Sequence, residues 1–130
     1  MAKRQNFSTG SIYEERYGYS RVVRVGETVY ISGTIGFDYA TGKIPDDPVD
    51  QLNQIIANWQ KPLADAGTSI NDIVQLTIFI TGTDVFEAIG TRMGQIFGDI
   101  RPTNTTVIAQ FPIPGAKIEI QAIAVAGCGG

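Results

Sequence analysis

A carboxylate set between two isoleucines is the residue in this chain best placed to do chemistry. Glu119 stands in Lys117-Ile-Glu-Ile-Gln-Ala122, where apolar residues recur at every second position, the period of a β-strand. Ile118, Ile120, Ala122 and Ala124 share one face, while Lys117, Glu119, Gln121 and Ile123 share the other. A carboxylate desolvated on a central strand is disfavoured in its ionised form, so it can serve as an acid or base near neutral pH. The other reading is a solvated sheet face on which Glu119 pairs with Lys117. Residue chemistry alone leaves both open.

Several other chemistries are excluded by composition. The chain has no histidine, which removes His-based triads, His-ligated zinc and an imidazole base. Its one cysteine, Cys128, lies in a Gly-Cys-Gly-Gly tail. No internal disulfide can form, and a thiol on a loose stretch over 126–130 is a poor nucleophile. Asp46, Asp47 and Asp50 lack the glycine and the register of oxygen ligands that a calcium loop needs. They read as helix-capping residues. No metal is expected, and no organic cofactor either, since no glycine loop is built to cradle phosphate. The net charge of −3 gives no basic footprint for DNA or RNA. With no apolar run of membrane-spanning length and no signal-peptide core, no membrane partner is expected and the expected location is cytoplasmic.

The elements that must position Glu119 follow from pattern. At 130 residues, 43% apolar and only 18% charged, the chain should form one domain over 1–130 with a substantial core. Residues 1–17 are polar and Gly/Ser-containing, which predicts a flexible arm. Arg21–Val25 and Thr28–Ser32 flank Gly26-Glu27 as a hairpin with a two-residue turn. Gly33 and Gly36 permit close backbone approach, and Asp38–Lys43 reads as a turn between extended pieces. A helix should start at Asp46-Asp47-Pro48, carry Leu52, Ile55, Ile56, Trp59 and Leu63 on one stripe, and stop at Gly67, with a kink at Pro62. Ile73–Ile80 reads as a central strand and Val85–Phe97 as a second helix. Thr105–Gln110 and Ala116–Val125 read as two strands joined by the Phe111-Pro-Ile-Pro-Gly115 turn. Helices and strands intermix, yet the hairpins exclude a wholly parallel sheet. The expectation is an α+β fold, a mixed six-stranded sheet with two helices on one face and the other face covered by oligomerisation.

The pieces Tyr19, Val25-Gly26, Tyr30-Ile-Ser-Gly33, Asn58, Ala66-Gly67, Asp72-Ile-Val74, Phe97-Gly98, Arg101-Pro102 and Lys117–Ala122 together resemble the RidA (YjgF/YER057c/UK114) family of enamine/imine deaminases. The resemblance runs from about Tyr19 over nearly the whole remaining chain. It implies a chorismate-mutase-like fold, a homotrimer as the self-partner, and three clefts between subunits.

The resemblance also implies a site. The cleft tyrosine of the family matches Tyr19, its Ser-Gly pair matches Ser32 and Gly33, its Thr or Cys matches Thr106, and the strand glutamate that handles water matches Glu119. In the family's deaminases an arginine clamps the substrate carboxylate, and here that position is Asn104; an asparagine of the second helix is replaced by Gly90. A charge-assisted contact contributes about 1.5–3 kcal/mol, so its loss should weaken binding of a small α-imino acid roughly tenfold to a hundredfold. Either the substrate differs or another cation, Arg16, Arg21 or Arg101, takes over. The implied activity is cofactor-free hydrolysis of an imine or enamine to a carbonyl and ammonia, with altered substrate preference. The alternative is a non-catalytic trimer that binds a small metabolite in the same clefts. RNA cleavage, attributed to some relatives, fits this acidic chain poorly.

Overall fold

The computed structural model describes residues 2–130. Six strands and three α-helices follow in the order β1 (Arg4–Phe7), α1 (Ile12–Tyr17), β2 (Val22–Val25), β3 (Thr28–Ile35), α2 (Pro48–Asp65), β4 (Ile73–Ile80), α3 (Thr83–Phe97), β5 (Thr103–Ile108) and β6 (Ile118–Val125). They form one sheet of order β1-β2-β3-β6-β4-β5. Every pairing is antiparallel except β4 with β5, whose crossover is α3. The fold is α+β, a mixed six-stranded sheet with the two long helices on one face.

The period-two pattern of β6 sets the layering. Ile118, Ile120 and Ala124 are fully buried, together with Leu52, Ile55 and Trp59 of α2. Ile78 and Ile80 pair with Ile120 and Ile118 and complete this helix-covered face. Glu119 therefore lies on the opposite face, between Ile35 of β3 and Phe79 of β4. The capping prediction holds for α2: Asp47 is the N-cap and accepts from Val49 N, and Pro48 opens the helix. Pro62 sits in its last turn and the helix continues to Asp65.

Four expectations are corrected. The last two strands do not form a hairpin, because β4 lies between β5 and β6. Ile120 and its neighbours present apolar atoms that both β3 and β4 can cover, so β6 takes the central slot and the proline-rich segment crosses to reach it. The sixth strand is β1 rather than a piece after Gly33; β3 itself runs on through Gly33 to Ile35.

Residues 4–17 are not a flexible arm. β1 pairs with β2 from Arg4–Val25 to Phe7–Val22, and α1 is pinned through Glu14. Its carboxylate accepts from Thr9 Oγ1 (2.7 Å), Thr9 N, Ser11 N and Arg21 N (2.9 Å). Ser11 and Glu14 form a capping box, a signal present in the sequence as Ser-Ile-Tyr-Glu.

Nor is 126–130 loose. Asp72 accepts from Thr68 Oγ1 (2.6 Å), Gly127 N (3.0 Å) and Gly129 N (2.8 Å). Backbone donors of a glycine-rich tail can converge on one carboxylate because no side chains intervene.

Candidate active site

A cavity of about 480 Å³ opens on the sheet face away from the long helices, with Glu119 in its lining. Two local features bring Glu119 there. Gln51, fully buried on α2, donates to Pro45 O (2.6 Å) and Gly115 O (2.9 Å) and accepts from Lys117 N (2.9 Å). This pins the start of β6 two residues before the glutamate. Opposite, the β3–β6 register passes from Ile31–Ala122 to Thr34–Ile120, so Ser32 and Gly33 together face Gln121 as a β-bulge. Bulges re-aim the chain beside functional groups. Here the bulge sets Gly33 against Glu119, where a Cβ would stand 2.6 Å from Oε1.

Arg21 forms the other polar part of the cavity. Its Nη1 donates to Gly33 O (2.7 Å) and Thr34 Oγ1 (3.0 Å), and Nη2 donates to Tyr19 Oη (3.3 Å). Thr34 Oγ1 also accepts from Trp59 Nε1 (2.8 Å) and donates to Ser32 O (2.8 Å), so the hydroxyl beneath the guanidinium is fully used. The guanidinium carbon lies 5.5 Å from the Tyr19 ring centroid, a cation–π distance.

The remaining walls are aromatic and apolar. Tyr13 and Tyr17 of α1 stack with centroids 6.3 Å apart, while Phe37 and Tyr39 meet edge to face at 5.1 Å. Phe111 and Ile113 close the side formed by the segment before β6. Burial in these surroundings pushes the Glu119 carboxyl above its ordinary value, and the nearby Arg21 charge opposes the rise without cancelling it. The Lys117 pairing is not made; Lys117 Nζ donates instead to Asp46 O at 2.7 Å.

Tyr19, Gly33 and Glu119 thus share one cavity. Ser32 is next to it in sequence, but its hydroxyl donates to Ser20 O at 2.6 Å. Asn104, Thr106 and Arg101 lie elsewhere in the protomer. Asn104 and Thr106 pair with Leu76 and Ile78 of β4 and so sit on the helix side of the edge strand, where Thr106 Oγ1 donates to Asn104 Oδ1 (2.9 Å). Asn104 and Arg101 line a second groove with Met93 and Phe97. Arg101 adopts φ of +52° in the turn before β5. Of the three candidate cations only Arg21 reaches the cavity; Arg16 and Arg101 are exposed outside it. The tyrosines of α1 escaped the sequence reading because the capping box that orders them was read as part of an arm.

The family model described as Endoribonuclease L-PSP matches residues 11–126. The chain belongs to the RidA (YjgF/YER057c/UK114) family. A 2-iminobutanoate/2-iminopropanoate deaminase of Dermatophagoides farinae is 35% identical over 109 residues, covering 82% of this chain and 84% of the relative. Rv2704 of Mycobacterium tuberculosis, a member of the YjgF/YER057c/UK114 family, superposes with a TM-score of 0.85 at 32% identity, over 95% of this chain and all of that one (100%). E. coli TdcF with bound serine gives a TM-score of 0.76 at 34% identity, covering 84% and 88%. The TM-scores show that the two solved structures share the fold described above. Among the described residues no helix is long and apolar enough to cross a membrane.

Proposed function

We propose that this RidA-family protein hydrolyses a reactive imine or enamine to a carbonyl compound and ammonia, with Glu119 as its catalytic residue. The observation that carries this reading is the desolvated carboxylate of Glu119, raised above its ordinary value and facing open space in the cavity. A carboxylate so tuned takes a proton from water as the water adds to the protonated C=N carbon. The same proton then passes to nitrogen of the carbinolamine. The C–N bond then breaks as the Glu119 carboxylate, regenerated by that transfer, takes the hydroxyl proton; ammonia leaves, carries this second proton away as ammonium, and the oxygen of water remains in the carbonyl. Relatives named as imine deaminases support the reaction class.

Asn104 and Thr106 occupy the opposite side of the sheet from Glu119 in one protomer, so all three can act on one substrate only across a subunit boundary. A homotrimer with clefts between subunits would achieve this. Asn104 carries no charge, so the preferred substrate differs from a small α-imino acid held by an arginine at that position. The second reading, a trimer that binds a small metabolite without turning it over, draws on the same uncharged residue.

Ammonia release from 2-aminoacrylate and a panel of larger imines, with wild type beside Glu119→Gln, separates the two readings. Hydrolysis predicts turnover that the glutamine variant loses. A binding protein gives no turnover in either.

A further inference from the structure

Among the described residues Arg21 is a buried cation without a contact ion pair. The residue is only 4% exposed, its Nε has no hydrogen-bond partner, and its Nη bonds go to a carbonyl and two hydroxyls. Among the described residues the side-chain ion pairs are Arg24–Glu27 and Lys61–Asp65, so neither Glu14 nor Glu119 is in ion-pair contact with it, although its charge reaches Glu119 through space. Glu14 spends its carboxylate on Thr9, Ser11 and the backbone N of Arg21. A buried guanidinium with no carboxylate in contact is costly to keep; both Nη1 hydrogens are spent, which leaves Nε and one Nη2 hydrogen as the donor pair for a carboxylate. It lines the same cavity as Glu119.

An imine of a three-carbon acid would fill a small part of about 480 Å³, and ligand sites bury most of their ligand. Two aromatic pairs, Tyr13–Tyr17 and Phe37–Tyr39, flank the space. Flat π-faces of this kind favour an aryl group or another large apolar side chain.

We propose that Arg21 binds the carboxylate of the substrate, and that this substrate is an imino acid with an aryl or similarly large apolar side chain. The anion subsite thus lies on the strand β2 side of Glu119, in a different place from Asn104. This rests on the imine-hydrolysis reading for the word substrate, but the subsite can be measured by binding alone.

The test is calorimetric titration of the purified full-length protein with three probes: phenylpyruvate, pyruvate, and phenylacetone, which keeps the ring but lacks the carboxylate. Wild type should bind phenylpyruvate at least about tenfold more tightly than either of the others. Arg21→Gln should remove the advantage over phenylacetone while leaving phenylacetone itself nearly unchanged. An arginine that merely braced Gly33 and Thr34 would weaken both aryl ligands together. Tyr39→Ala, at an exposed position, should weaken both aryl probes and spare pyruvate. If pyruvate or phenylacetone matches phenylpyruvate on the wild type, the inference is overturned, even if Arg21→Gln fails to fold. Turnover of the imines formed in situ from phenylalanine and alanine by an amino-acid oxidase is scored separately. Retained probe order without turnover would sink the hydrolysis reading and leave the Arg21 subsite standing.

Discussion

Gly33 and Glu119 are fitted to each other: a Cβ at position 33 would lie 2.6 Å from Oε1 and 3.1 Å from the carboxyl carbon of the glutamate. The nearest atom is the end of a side chain, so a substituent there would move the carboxylate rather than the backbone. Gly33→Ala should therefore leave stability within about 1 kcal/mol of wild type. Turnover should fall by about a hundredfold, the effect of displacing a reacting group by an ångström. Chemical denaturation and steady-state rates, measured on one preparation, check both halves.

The same carboxylate should cost stability. Its value is raised by burial, so between the ordinary carboxylate range and the raised one the native state holds more protons than the unfolded chain. Stability then falls as pH rises through that window. Glu119→Gln removes the liability, so its melting temperature should equal or exceed that of wild type at neutral pH. The advantage should shrink on acidification below the ordinary range, where both forms are uncharged. Melting curves of the two proteins from acid to neutral pH give the sign directly.

Glu14 behaves in the opposite sense. Burial pushes its carboxyl up, but hydrogen bonds from Thr9, Arg21 and Ser8 together outweigh that and hold it below its ordinary value. Its contribution is present above the ordinary range and disappears as pH falls through the depressed value. Glu14→Ala leaves the buried backbone donors of Ser11 and Arg21 without their acceptor, and should destabilise by about 3 kcal/mol. Because α1 carries Tyr13 and Tyr17 on the cavity wall, ligand affinity should fall with it. Urea midpoints at neutral and acid pH, alongside a binding titration, test the link.

Asp72 fastens the C-terminal glycines, and a Cβ on Gly129 would stand within 2.6 Å of the carbonyl carbon of Asn71. Gly129→Ala should release the last residues and destabilise by about 1 kcal/mol or more, as small-to-large changes in packed sites do. Amide hydrogen exchange at Gly127 should quicken in the variant.

Much of this was legible beforehand. The alternation through Ile118–Ala124 placed Glu119 on the open face of a central strand, and Asp47-Pro48 marked the start of α2. What escaped was non-local. That β4 would separate β5 from β6 depends on which strand edges cover Ile120, which no local pattern states. Arg21 stood level with Arg16 and Arg101 as a candidate cation, because nothing in Tyr-Ser-Arg-Val shows that Thr34 and Gly33, over ten residues onward, would bury it. That Asn104 and Thr106 lie on the opposite sheet face from Glu119 is likewise a matter of strand pairing.

In the proposed reaction Glu119 removes a proton from water during imine hydrolysis. The most direct test is kcat/KM for ammonia release as a function of pH, after subtraction of spontaneous hydrolysis. Wild type should show a rising limb above the ordinary carboxylate range, set by the raised Glu119 carboxyl, and Glu119→Gln should lose both limb and turnover. A wild-type profile without that limb, or a glutamine variant that turns over normally, would rule out Glu119 as the base.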